Sequence, residues 1–390
     1  MSLVLFDTIR SRQQLYPFTA IRPVSEIRIG LLRISEWWSF ATDREVVELT
    51  ESYLQRQLPA AKDFLYVDAT LIPDEAMLHT FLNLQEGEGI ICQQEILAVV
   101  TSRRLDYGFT IENLPEIRFR EWTGSLRKLN YPFEIAQLNA EAIREDVSRI
   151  TQGRSSQNIS PTNQVIAPEQ IFIEEGAVVE HCLLNASTGP VYIGKNCLVM
   201  EGSMIRGPFA MLENSVVKMG SKIYGATTVG VSCTVGGEIK NVVFFDYSNK
   251  AHDGYLGDAV IGTWCNIGAG TSCSNVKNTA GDVKVWNQEL HQWINAGMKC
   301  GVLMGDYTRT AINTSLNTGT VTGISCNVFN NGFVPKYVAD FTWNCSTKER
   351  YVFTKVLSDL GNWMQFKKQQ LSERDEQILS YLYSKQSQTN

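Results

Sequence analysis

The sequence has no uninterrupted run of about 18 apolar residues, the length a bilayer-spanning helix needs, so no spanning segment and no membrane partner are expected. Its first residues, Met1-Ser2-Leu3-Val4-Leu5-Phe6-Asp7, lack the basic stretch and longer apolar run of a secretory leader, and read instead as a short buried strand. Positive charge is in the minority. The 35 Lys and Arg against 41 Asp and Glu leave a net charge of −6, which argues against a broad nucleic-acid surface and leaves room only for a local basic pocket. Nine cysteines are present without any CxxC pair or paired spacing, so reduced thiols packed as small apolar groups, and a cytoplasmic location, are expected. Only four histidines occur, and His181, His252 and His291 have no close ligand spacing, which argues against a zinc site.

A chain of 390 residues exceeds one ordinary core, so two domains are expected. Residues 1–150 alternate apolar runs at 3–6, 64–67 and 96–100, read as buried strands, with helical periodicity at 43–57 and 134–150, which together indicate an α/β layer structure. The stretch 151–170 is polar, carries Pro161 and Pro168, and reads as a linker. Beyond it, 171–345 is a repeat region. The last segment, 346–390, brings Leu357, Leu360, Met364 and Phe366, then Ile378, Leu379 and Leu382, and is expected to form one or two helices flanking the repeats.

The repeat is the strongest signal in the chain. Ile193, Val199, Ile205, Met211, Val217, Ile223, Val229 and Val235 follow one another at intervals of six. Ile173 and Val179 precede the series slightly out of phase, and Ile261 and Ile267 resume it after a break at 239–254. A six-residue period fits a triangular parallel β-helix in which each face contributes one short strand and one aliphatic to a shared core. The corners must turn tightly, and Gly194, Gly202, Gly207, Gly220, Gly225 and Gly230 lie near them. A sandwich would show alternation of period two instead.

The break is where chemistry is expected, because loops expelled from a solenoid tend to build its sites. It contains His252-Asp253-Gly254-Tyr255-Leu256-Gly257-Asp258-Ala259-Val260-Ile261-Gly262 and is followed by Asn266-Ile267-Gly268-Ala269-Gly270-Thr271. These strings, with Gly207-Pro208-Phe209-Ala210 upstream, resemble the bifunctional N-acetylglucosamine-1-phosphate uridyltransferase/glucosamine-1-phosphate acetyltransferase family. The resemblance implies a nucleotidyltransferase-like α/β domain, then a left-handed parallel β-helix that assembles as a homotrimer. It implies that His252 is the general base for acetyl transfer from acetyl-CoA to an amino-sugar phosphate, with Tyr255 and Asn266 on the sugar phosphate and Asn275 in the acetyl-transfer pocket. An imidazole titrates near neutral pH and suits that task. The chain departs from the family at Met211-Leu212-Glu213, Asp246-Tyr247 and Val276, where phosphate-binding cations and a tyrosine are missing. Arg206, Lys218, Lys222 and Lys250 are the candidate substitutes, and an insertion at 278–302 brings Trp286 and Trp293 to cover a substrate or pack on a neighbour.

Near the N-terminus Leu15-Tyr16-Pro17-Phe18-Thr19 and Pro23 resemble the sugar-nucleotidyltransferase signature. The glycine loop of that signature reads Ile9-Arg10-Ser11-Arg12-Gln13-Gln14 here, and its lysine position holds Val24. Arg10, Arg12 and Arg22 are therefore the candidate nucleotide-phosphate ligands. The Mg²⁺-binding aspartate implied by the resemblance has its counterpart in Val67-Asp68-Ala69-Thr70, which makes Asp68 the metal candidate if this domain turns over. Three functions stay open: acyl transfer with His252, nucleotidyl transfer with the β-helix only oligomerising the protein, and non-catalytic binding of a sugar phosphate or nucleotide sugar.

Overall fold

A computed structural model gives the fold of residues 1–347 and 349–387; the final positions of the expected tail lie outside the described residues. Packing divides the chain into two units. One comprises Met1–Ile27 with Leu32–Tyr131; the other comprises Arg28–Leu31 and everything from Pro132 onward.

The first unit is a mixed six-stranded sheet. Strands β1 (Ser2–Phe6), β2 (Val46–Leu49), β3 (Phe64–Asp68), β4 (Glu88–Cys92), β5 (Glu95–Thr101) and β6 (Arg118–Glu121) lie in the order β2-β1-β3-β5-β4-β6. Strand β1 pairs in parallel with both β2 and β3, whereas β5 runs antiparallel to β3. Helices α1 (Ile9–Gln14), α2 (Ile34–Thr42) and α3 (Glu75–Leu82) join these strands. One face of the sheet buries Val4, Phe6, Leu49, Phe64, Tyr66 and Val99 together. The strands expected at 3–6, 64–67 and 96–100 are β1, β3 and β5. The helix expected over 43–57 is not formed. That segment is edge strand β2 and a turn, because β-branched Val46 and Val47 pair with Leu3 and Val4, and pairing overrides the weak helical periodicity. The carboxyl ends of adjacent parallel strands β1 and β3 point the same way, the usual ligand-binding edge of an α/β sheet.

The second unit opens with α4 (Glu134–Thr151), the helix expected at 134–150. Its buried Asn139 donates to the Ala226 carbonyl at 2.8 Å and accepts from the Gly30 N–H and Thr228 hydroxyl. This fixes the helix against the solenoid. The solenoid starts inside the expected linker, since Gln164–Ile166 already pairs with Leu183–Asn185.

Three stacks of short parallel strands form its faces. The first runs through 171–173, 191–193, 209–211 and 227–229, and the second through 178–179, 198–199, 216–217 and 234–235. The third runs through 183–185, 204–206, 222–224 and 238–240. The eight aliphatics at intervals of six fall on these faces in rotation, and each is at most 2% exposed. All nine cysteines are free thiols and eight are buried.

The break at 239–254 is not an expelled loop. Residues Glu238–Phe244 form one strand that crosses from the third face to the first at Asn241, whose φ is +55°. The coil is thereby tightened. Val217 pairs with Val235, eighteen positions on, but Val235 pairs with Lys250, only fifteen on. The next coil repeats the device with Tyr255–Ile261 and a corner at Asp258 (φ +45°). The insertion at 278–302 is a hairpin, Lys284–Asn287 against Gln292–Asn295, in which Trp286 faces Trp293 with ring centroids 5.4 Å apart. Helices α5 (Phe353–Gln365) and α6 (Glu373–Ser387) form the tail. Trp363 of α5 lies 5.5 Å from the Arg309 guanidinium, and Lys367 donates to Asn249 at 2.9 Å, so the tail packs on the second face.

Candidate functional site

In the first unit, a cavity of about 690 Å³ lies at the carboxyl ends of β1 and β3, lined among others by Thr8, Arg10, Asp68, Glu95, Gly108 and Lys128. Arg10 is largely exposed and pairs with Glu95 at 2.9 Å. The Lys128 ammonium sits between Glu95 (2.7 Å) and Asp68 (3.1 Å). Burial works against its charge, but the two carboxylates outweigh burial and hold it above its ordinary value. Asp68 is 2% exposed, and its other oxygen accepts from the Thr70 N–H at 2.9 Å and the Thr70 hydroxyl at 2.7 Å. Both oxygens are thus engaged, and among the described residues no group of three His, Cys, Asp or Glu could hold a metal ion. The Lys128 ammonium stands beside the Asp68 carboxylate and neutralises it in this arrangement.

Arg12 differs from expectation. It is 6% exposed and donates to Asp7 (2.9 Å), Thr50 (3.1 Å), Tyr53 (2.9 Å) and the carbonyls of Thr19 and Arg22. Both terminal nitrogens are spent on these partners, so in this arrangement it is a structural clamp rather than a phosphate ligand. Burial pushes the Asp7 carboxyl up, opposed by Arg12 and by hydrogen bonds from Thr50 and Val24. Arg22 donates to the Phe18 carbonyl at 3.3 Å and is not among the residues lining the cavity. Arg10, with the unforeseen Lys128, supplies the positive charge of the cavity.

In the second unit, Tyr255 and Asn275 come together at the corner between the third and first faces. Asn241, Asp258 and Asn275 follow at intervals of seventeen, on successive coils, and their side chains stack. Asn241 donates to one Asp258 oxygen at 2.7 Å and Asn275 donates to the other. Gly257 makes space for the pair, since a Cβ there would lie 2.4 Å from the Tyr255 hydroxyl and 3.0 Å from the Asn275 amide. Burial, then Asp258 and Glu238, push the Tyr255 phenol up to about 12, so at neutral pH it is a hydrogen-bond donor.

His252 is exposed in the turn that leads from the second face into Tyr255. Asn266 lies apart from Tyr255 and Asn275, on the second face, bridged between Asn249 and Arg309. The proposed substitute cations divide by environment. Lys222, Glu238 and Tyr255 stack in register on the third face, and Lys240 neighbours Gly257. Lys222, Lys240 and Arg206 are exposed there, whereas Lys250 is 1% exposed and points inward. Asp246, standing where the family resemblance has a lysine, accepts instead from Arg28 at 3.4 Å and from the Val231 N–H at 2.9 Å. Lys240, Asp258 and Asn241 were not singled out from the sequence, because only their position on a tightened coil relates them to Tyr255.

Residues 3–155 match the family model described as sugar nucleotidyl transferase. Among curated proteins, the chain is 29% identical over 254 residues to the bifunctional protein GlmU of Thermodesulfovibrio yellowstonii, covering 60% of this chain and 52% of that protein. It is 38% identical over 106 residues to the bifunctional protein GlmU of Trichormus variabilis, covering 26% and 21%. It is 25% identical over 205 residues to that of Methanococcus maripaludis, covering 52% and 43%. The chain spans about half the length of the first of these relatives and less of the others. Residues 3–155 thus match a sugar nucleotidyl transferase domain, and the chain is similar to GlmU proteins over the stretches given.

Two measurements check these assignments. Replacing Arg12 with Met strands the buried Asp7 carboxylate and should destabilise the first unit by about 3–5 kcal/mol, whereas Arg10→Met should change stability by less than about 0.5 kcal/mol. Equal effects in denaturant titrations would return Arg12 to the role of a ligand. The second concerns Lys250, which burial lowers from 10.5 to about 8 against the opposing charge of Asp253. Between those values the unfolded chain holds the proton and the folded chain does not, so unfolding free energy should rise with pH across that window. The rise should be smaller in Lys250→Met; an identical rise would place the shifted group elsewhere.

Proposed function

We propose that the second unit transfers an acetyl group from acetyl-CoA to an amino-sugar phosphate, with His252 as general base. The observation that carries this reading is the exposed imidazole in the turn leading directly into the Tyr255–Asp258–Asn275 cluster. The neutral imidazole accepts a proton as the sugar amine forms its bond to the thioester carbonyl carbon. When the tetrahedral adduct collapses, the carbon–sulfur bond breaks and the imidazolium returns the proton to the departing thiolate. Tyr255 supplies a protonated hydroxyl and Asn275 an amide beside it, both suited to hydrogen-bond donation toward an oxygen of the bound substrates. Lys222, Lys240 and Arg206 provide positive charge for the phosphate. Asn266, the remaining sugar-phosphate candidate, lies on the second face beside the tail, and a homotrimer and a cytoplasmic location follow from the resemblance to the relatives.

The family match over residues 3–155 and the cavity of the first unit favour a second activity, nucleotidyl transfer onto a sugar 1-phosphate. The sugar-phosphate oxygen would bond to the α-phosphorus of a nucleoside triphosphate as pyrophosphate leaves, with Arg10 and Lys128 facing the phosphates.

Transfer of labelled acetyl from acetyl-CoA to a panel of amino-sugar phosphates tests the first activity. His252→Ala should lower the rate about 10²–10⁴-fold. Equal transfer by the variant would remove His252 from the reaction, and no transfer by the unaltered protein would leave a non-catalytic binding protein. For the second activity, pyrophosphate release from UTP or dTTP with hexose 1-phosphates should be seen and should fall at least about tenfold in Lys128→Met. No release with any nucleotide would overturn it.

A further inference from the structure

The tightened coil puts a lysine where the solenoid otherwise keeps an aliphatic. Val199, Val217, Val235 and Lys250 are successive inward rungs of the second face, each paired in register with the last. Lys250 is 1% exposed. Its four-carbon stem occupies the space of an aliphatic, but its ammonium needs acceptors that an apolar core does not offer. It finds them at the corner. Nζ donates to the carbonyl of Gly236 at 3.3 Å, to the carbonyl of His252, and to the carbonyl of Asp253 at 3.2 Å. Two of the three acceptors are the backbone of the turn that carries the exposed imidazole.

The same turn is held from the next coil. The Gly270 N–H donates to the Asp253 carbonyl at 3.0 Å, and the Tyr255 N–H donates to the Ser272 hydroxyl at 3.2 Å. Gly254 closes the turn with φ +123°, and a Cβ there would lie 2.1 Å from the Thr271 carbonyl oxygen. The turn thus has two ties from the following coil, one from the preceding coil, where the Glu238 N–H donates to the Gly254 carbonyl at 3.2 Å, and the lysine from inside the core. Among the described residues, the inside tie alone reaches the carbonyl of His252.

We propose that Lys250 is a positioning residue: from inside the solenoid it gathers the His252 and Asp253 carbonyls and so fixes the turn that presents the His252 imidazole. The proposal rests on the reading of His252 as the base, and its role is indirect, since the ammonium faces the core and not the substrate. An aliphatic at this rung would pack equally well and leave both carbonyls without that donor. The turn would then sample orientations in which the imidazole is misplaced, and rate would fall while substrate binding, made by other side chains, would persist.

The test uses the full chain with Lys250→Met, and Lys250→Leu as a second apolar occupant of the rung. Amide hydrogen exchange in residues 251–255 should speed up about tenfold or more, with the neighbouring strands unchanged. In the acetyl-transfer assay kcat should fall about tenfold or more, while KM for acetyl-CoA stays within about twofold. Unchanged exchange in both variants would overturn the proposal, as would full kcat in a variant whose turn has loosened. If the unaltered protein transfers no acetyl group, the function assigned to His252 fails, and the exchange measurement still decides whether Lys250 holds the turn.

Discussion

The constraint on which the second unit depends is the rung: one inward side chain per face, aligned with those above and below at the spacing of hydrogen-bonded strands, about 4.8 Å. Ile193, Met211 and Val229 on one face and Val199, Val217 and Val235 on another satisfy it with almost no exposure. A coil cannot change length without either breaking this alignment or absorbing the change at a corner. The chain takes the second course. One column of corners holds Asn196, Asn214, Ser232, Tyr247 and Trp264, all with left-handed φ between 53° and 64°. Asn and Ser enter that region easily, whereas Tyr and Trp do so at a cost of about 1–3 kcal/mol each. The two aromatic residues occupy the tightened coils, and their rings stack at 4.4 Å and 4°, which offsets the strain. The column continues through Tyr307 and Phe341, also left-handed, so aromatic corners recur beyond the coils that carry His252, Tyr255 and Asn266.

The six-residue period made the solenoid legible, because apolar alignment every six residues has few other physical causes. The period failed where the coil shortens, since removing residues from corners looks in sequence like an interruption. Lys250 could not be recognised as a core residue for that reason: its rung assignment requires knowing that Glu238–Phe244 runs straight through a corner. Asn241, Asp258 and Asn275 were obscured likewise, their seventeen-residue spacing having no meaning until the coil length is known. In the first unit the strands were legible from apolar runs. The segment 43–57 was misread because an edge strand with one buried face carries too short a pattern to distinguish from a helix. Arg12 was misread for another reason. A loop arginine near a phosphate-binding signature looks like a ligand, and only the buried Asp7, five residues earlier, shows that the loop holds its shape with an ion pair where relatives of this signature use glycine.

Buried charge has opposite meanings in the two units. Arg12 meets a carboxylate, and the pair closes a loop whose remaining donors reach Thr50, Tyr53 and two carbonyls. Lys250 meets only carbonyl oxygens, so its charge is incompletely compensated and burial lowers its proton affinity. An aliphatic at that rung would favour stability. A residue that works against stability at one rung of an otherwise regular core, with its ammonium on the backbone of the turn that carries His252, is the pattern expected when positioning and stability compete.

The loss of the family's phosphate-binding cations is compatible with a working site because a solenoid face is a lattice. Outward positions on neighbouring coils lie about 4.8 Å apart, and a lysine side chain spans more than one such step. A cation lost from one coil can therefore be replaced from the coil above without moving the substrate far. On the third face, Lys222 and Lys240 occupy successive coils above Tyr255 and Gly257, with Arg206 beyond them. Glu238 lies between Lys222 and Tyr255 and limits where an anion can settle: it favours the Lys240 side of the face, next to Gly257, where the Tyr255 hydroxyl and the Asn275 amide already converge. The absence of a side chain at Gly257 thus lets the Tyr255 phenol cover that position and lie beside the Asn275 amide, next to Lys240.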